Sequence, residues 1–169
     1  GPRPKQGDQY RAMGVLLRHP SFLGVSGANG LMNMGRLVIL TFLPIYLVEH
    51  LGYSAFVLGV YIMLLHVMGI VSQPVMGLLS DRLGRKVVIV PSLAAMGLIY
   101  VGMVFAPGGI ILGFLVGMLG LFFYAILNVQ HSALLDVAPN DVQSSAFGIM
   151  ILFSVPFSLI SPPLVGYLV

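Results

Sequence analysis

The chain has 169 residues, of which 58% are hydrophobic and only 8% charged, with a formal net charge of +3 and no cysteine. An ordinary globular domain carries about 25% charged residues, so this composition excludes a water-soluble fold, which would have to charge its outer faces. The lack of cysteine excludes disulfides, thiolate catalysis and cysteine-ligated metal, and the small positive excess gathers at predicted membrane edges, which assigns it to topology rather than to nucleic acid.

Residues 1–19 are polar and basic and contain no short apolar core followed by a small-residue cleavage site, so no signal peptide is expected. GPRPKQGDQ reads as a linker and YRAMGVLLRH as a short amphipathic helix along the membrane surface, both cytoplasmic, before entry at Pro20. The missing initiator Met points to a chain that begins partway through a longer protein.

Residues 50–80 and 87–135 contain no Asp, Glu, Lys or Arg. A bilayer core of about 30 Å needs roughly 20 apolar residues at about 1.5 Å each. The first run holds one span and the second two. Punctuation then predicts five spans: 21–48, 55–80, 87–106, 110–135 and 143–169, all in a region 20–169. The EHLGYS turn, Pro107-Gly108-Gly109 and the DVAPND turn separate them. Arg3, Lys5, Arg11 and Arg18 precede the first span, and Arg82, Arg85 and Lys86 follow the second, while the opposite face has no Lys or Arg. Cytoplasmic loops carry that excess, so the amino-terminal segment and the 81–86 loop are expected in the cytoplasm.

Gly77-xxx-Asp81-Arg82-x-Gly84-Arg85-Lys86 is the motif between spans two and three. It resembles the signature loop of the major facilitator superfamily, found between the second and third helix of a six-helix half. The basic segment ahead of LLRHPSF, FLPIYL late in span one, and LLDVAPNDVQSSAFG after span four resemble the carboxy-terminal half, here without its last helix. The intact loop is more usual in the amino-terminal half, so that alternative stays open.

The resemblance implies an all-α integral membrane protein of the plasma membrane, about five helices of a helical half-domain. It implies secondary active transport of a small organic solute by alternating access, with two halves rocking about a central site. The partners implied are the solute, the lipid bilayer, the other half of the carrier, and a coupling proton or cation. A multidrug efflux protein of the same fold, and a carrier-like scaffold or receptor that moves nothing, are the competing readings. No nucleophile elbow, HExxH or phosphate-cradling Gly-rich loop occurs, so neither an enzyme nor a bound cofactor is expected.

Within the loop, Gly77 is expected at a close helix approach and Gly84 at a sharp turn, with Asp81 against a helix N-terminus or a neighbouring Arg. The family reading makes Gly77, Asp81, Arg82, Gly84, Arg85 and Lys86 a latch for one carrier state. The plainer reading is that Arg82, Arg85 and Lys86 only fix topology.

Arg36 lies midway along span one, and a cation there is costly unless it faces a bundle interior or an aqueous cavity. Asn29, Asn33 and Arg36 are spaced i, i+4, i+7 and share one helical face. We expect that face to line the central cavity, with Arg36 meeting an anionic group of the solute or an acidic residue of the other half; a packing role held by helix carbonyls and Asn33 is the alternative. His66 and Gln73 share a face of span two, and Tyr124, Asn128 and His131 a face of span four. All but the more doubtful His131 are candidates for the cavity wall, His66 as a proton carrier, against simple interhelical hydrogen bonding. Gly113 and Gly117 form a GxxxG pair, and Gly24, Gly27 and Gly30 a stripe, both read as packing surfaces.

Overall fold

Hydrocarbon offers no partner to a backbone N–H or C=O, so an apolar chain must satisfy its backbone inside helices. The computed structural model describes residues 14, 15 and 17–168, and no strand occurs among them. Six long helices follow in order: α1 Pro20–Ile45, α2 Ala55–Leu83, α3 Arg85–Val104, α4 Gly109–Phe123, α5 Ala125–Val137 and α6 Gln143–Leu168. Five stretches among the described residues are long and apolar enough to cross a membrane: Pro20–His50, Ala55–Leu83, Arg85–Val104, Gly109–Val137 and Gln143–Pro163. Gly14, Val15, Leu17 and Arg18 are helical and exposed; the rest of the expected linker and interfacial helix lies outside the described residues.

The ends of these helices differ from the sequence reading for physical reasons. Pro44 has no N–H to give to the preceding turn, and just beyond it α1 widens into a π-type turn over Tyr46–His50. The basic loop expected between 80 and 87 shrinks to one residue. Asp81 and Arg82 sit in the last turn of α2, Arg85 and Lys86 in the first turn of α3, and Gly84 alone reverses the chain at φ 96°, ψ 147°. That backbone state is open essentially to glycine only. The regular helical bonding of the fourth crossing is interrupted at Tyr124, which separates α4 from α5 while its backbone stays right-handed helical at φ -99°, ψ -35°.

The described residues up to Val38 together with those from Gln130 onward form one compact unit, and Ile39–Val129 a second. In the first, Phe22 of α1, Leu134 of α5, Ala138, and Ala146 and Met150 of α6 make a buried cluster. In the second, α2 packs along α4, with α3 against both. Large apolar side chains such as Ile70, Val75, Leu98 and Ile110 stay exposed, as expected of a surface bathed in lipid rather than water.

The α2–α4 contact is set by backbone, not by side chains. A Cβ on Gly120 would lie 2.4 Å from the Leu65 carbonyl oxygen, and one on Gly69 would lie 2.7 Å from the Tyr124 ring and 3.2 Å from the Gly120 carbonyl oxygen. Gly113 and Gly117, the expected GxxxG pair, would meet Tyr61 and Met68 only at 3.8 Å, ordinary contact distance. The close approach expected at Gly77 is also not seen: nothing among the described residues lies within 4 Å of its Cβ position. Of the span-one stripe, Gly30 alone is crowded, by the Phe157 ring at 2.7 Å.

Gly120→Ala must therefore push α4 off α2, and a loss of about 1–3 kcal/mol is expected. Gly113→Ala and Gly117→Ala should be neutral or slightly stabilising. Thermal unfolding in detergent micelles checks this: the Gly120 variant should melt several degrees lower than the other two.

Candidate functional site

Asn29 is the polar hub of the first unit. It is 2% exposed. Its Nδ2 donates to Gln130 Oε1 at 3.2 Å, and its Oδ1 accepts from Asn33 Nδ2 at 2.9 Å and from Ser154 Oγ at 2.8 Å. Asn33 Nδ2 also reaches the Asn29 carbonyl oxygen at 3.0 Å, and Ser154 Oγ the Met150 carbonyl oxygen at 3.0 Å. One neutral side chain thus ties α1 to α5 and α6. Arg36, about one turn beyond Asn33 on the same helix, is half-buried. Gln130 Nε2 and Ser26 Oγ are buried without a hydrogen-bond partner among the described residues, each a cost of about 1–3 kcal/mol.

The second unit brings together the two faces read separately from the sequence. His66 Nε2 lies 2.9 Å from the Tyr124 hydroxyl, with the rings tilted at 5.4 Å between centroids. Asn128 Nδ2 donates to Gln73 Oε1 at 3.2 Å. Both pairs advance along the two chains together, as parallel neighbours must. His66, Gln73, Tyr124 and Asn128 therefore spend polar atoms on one another. His131 belongs to the other unit and stacks edge-on against Phe147 at 4.7 Å.

Around Gly84, Arg85 donates from one guanidinium nitrogen to Asp81 Oδ1 at 2.6 Å and to Ser80 Oγ at 2.8 Å. Of the two partners expected for Asp81, the structure places the neighbouring Arg. Ser80 is buried, whereas Asp81, Arg82 and Lys86 are exposed. An exposed ion pair contributes about 0.2–1 kcal/mol.

A groove of about 620 Å³ runs between Tyr53, Tyr61, Leu64 and Met68 on one side and Gly113 and Gly117 on the other. It is almost wholly apolar and holds none of the predicted site residues. At one end Tyr53 Oη accepts from the Gly109 N–H at 2.8 Å, and Tyr61 Oη donates to the Gly109 carbonyl oxygen at 2.6 Å.

Gln130, Ser154 and Ser80 escaped the sequence reading. A Gln inside an apolar helix was a usable signal for the first. Ser154 and Ser80 had none, because serine is common in membrane helices and only its contacts distinguish these two.

A sequence profile described as Major Facilitator Superfamily matches residues 1–168. The chain is 32% identical over 153 residues to a proline/betaine transporter of Salmonella typhimurium, covering 88% of this chain and 30% of that protein. It is 33% identical over 143 residues to a glycine betaine/proline/ectoine/pipecolic acid transporter of Dickeya dadantii, covering 81% and 28%. It is 31% identical over 149 residues to a proline/betaine transporter of Escherichia coli K12, covering 81% and 28%. The chain spans about three tenths of the length of the curated relatives it matches. No solved structure matches it significantly.

Replacing the hub strands its partners in a place that water does not reach, so Asn29→Leu is expected to cost about 1–3 kcal/mol. Asn33→Leu, which leaves the bonds to Gln130 and Ser154 intact, should cost less than half as much, as read by urea unfolding in micelles. Gly84→Ala forces a side chain into a glycine-only conformation and is expected to cost about 1–3 kcal/mol. Asp81→Asn should cost under about 1 kcal/mol in the same assay.

Proposed function

Because the chain belongs to the major facilitator superfamily, we propose that it forms part of a secondary active carrier that moves a small organic solute across the membrane by alternating access. The activity proposed is transport, not catalysis. The whole carrier would comprise this integral membrane segment and a second half, with the amino-terminal segment and the Asp81–Lys86 turn in the cytoplasm and the plasma membrane as its location. The proline, glycine betaine, ectoine and pipecolic acid of the relatives' names all carry a carboxylate and a cationic nitrogen. We extend that class, small zwitterions, to this chain.

The observation that carries the reading is Arg36, a cation midway along a membrane-spanning helix, on the face that Asn33 and the Asn29 hub hold in place. Such a residue is expensive in hydrocarbon and is retained where it meets a charge. A guanidinium fits a carboxylate with two parallel hydrogen bonds. In this reading Arg36 takes the carboxylate, Asn33 flanks it, and Asn29 orients Asn33. His66, Gln73, Tyr124 and Asn128 form a second polar surface in the same carrier, and the Asp81–Arg85 clasp at Gly84 is the latch of one state. Energy would come from a proton or cation gradient.

The test is flux into proteoliposomes bearing the whole carrier, with labelled glycine betaine, proline and lipophilic cations, with and without a pH gradient. Zwitterion uptake should fall about tenfold or more in Arg36→Ala, the loss of one charge-assisted contact of about 1.5–3 kcal/mol. Arg36→Lys should retain an intermediate rate. Uptake indifferent to Arg36 would overturn its role. Export of lipophilic cations alone would favour the efflux reading, and no flux of any solute the scaffold reading.

A further inference from the structure

His66 has both ring nitrogens occupied, and its two partners differ in kind. Nδ1 is 2.7 Å from the Ile62 carbonyl oxygen one turn back on α2, and Nε2 is 2.9 Å from the Tyr124 hydroxyl. A carbonyl can only accept, so Nδ1 must carry a proton. In the neutral ring Nε2 is then bare, and the Tyr124 hydroxyl donates to it. The tautomer is set by the helix itself.

We propose that Nε2 of His66 is a proton-binding site, and that protonation reverses the bond to Tyr124 and loosens the joint between α4 and α5. A proton arriving from water bonds to the Nε2 lone pair, the O–H···N bond is lost, and Nε2–H now donates to Tyr124 Oη. The tyrosine keeps its proton but must turn it to another acceptor. No covalent bond other than N–H forms, and the ring ends with one positive charge.

The position of Tyr124 converts this small exchange into a structural one. Tyr124 is the residue at which the helical bonding of the fourth crossing is interrupted. It is pinned to α2 at two points one turn apart, its hydroxyl on His66 and its ring against Gly69, where a Cβ would lie 2.7 Å from Cδ2. Below the joint, Asn128 on α5 is held by Gln73; above it, Gly120 on α4 is locked to the Leu65 backbone. The His66 bond is thus the polar tie at the residue where the helical bonding is interrupted, between two anchored helices. The titratable groups on elements packed against α2 are Tyr124, Arg85, Lys86 and Tyr100, with Tyr46, Glu49 and His50 on the π-type turn. Of these, Tyr124 is the one bonded to His66, while Arg85 is engaged with Asp81 and Ser80. The switch belongs to this chain and does not depend on which solute the carrier moves.

Nitrogen-15 NMR of imidazole-labelled protein in lipid bilayers, titrated between about pH 9 and 5, tests this, with His66→Gln identifying the signal. The neutral ring should carry its proton on Nδ1 and pass in one step to the doubly protonated form. Backbone amides of residues 121–127, corrected for the intrinsic pH dependence of exchange, should exchange about threefold faster or more across that step. In Tyr124→Phe, which keeps the ring over Gly69, the ring should still titrate but the amides should no longer follow it. A neutral ring protonated on Nε2 would overturn the proposal, as would amides blind to the step in the wild type, or amides that still follow it in Tyr124→Phe.

Discussion

Everything in this structure answers to one constraint: within hydrocarbon a polar group must find its partner inside the protein. The backbone meets it by helix formation, and the exceptions are confined to places where something else supplies the bond. The turn at Gly109 is stitched by two tyrosine hydroxyls, one accepting its N–H and one donating to its carbonyl. The turn at Gly84 is reduced to a single residue, its flanking charges kept in helical turns. Most buried side chains follow the same rule, with Ser26 Oγ, Tyr100 Oη and Gln130 Nε2 the exceptions among the described residues. Asn29 satisfies three neighbours from other turns and helices, and His66 uses both nitrogens.

The second theme is distance. Polar side chains as short as Asn, Gln and His can pair across helices only where backbones come close, and glycine sets that closeness. In the Ile39–Val129 unit the contact of Gly120 with the Leu65 backbone draws α4 onto α2. The His66–Tyr124 and Gln73–Asn128 pairs lie on the same line. Spacing alone favoured Gly113 and Gly117 as the packing pair, yet they border an apolar groove instead. A GxxxG pattern states where a helix is smooth, not which neighbour uses the smoothness.

The candidate site was legible to the extent that one helix could write it. Asn29, Asn33 and Arg36 share a face by arithmetic, and Asn33 does bond Asn29. Their partners lie 101 and 125 residues away along the chain, at Gln130 and Ser154, where no local rule reaches. The same holds for the two polar faces of spans two and four. Each was readable as a row, and that the rows pair with each other was not. Gly77 shows the opposite case, a motif residue whose expected close neighbour is absent in this arrangement.

The sequence by itself determined that this is an all-α membrane protein, where its apolar segments lie, and which family it resembles, because hydropathy, loop charge and turn residues act over spans of twenty residues or fewer. Only the tertiary structure decided that Asn29 is a hub, that Nε2 of His66 meets the Tyr124 hydroxyl, and that the helical bonding of the fourth crossing is interrupted at Tyr124. Those outcomes depend on which backbone comes within about 3 Å of which, hydrogen-bonding reach, and that distance is fixed by packing among residues far apart in the chain.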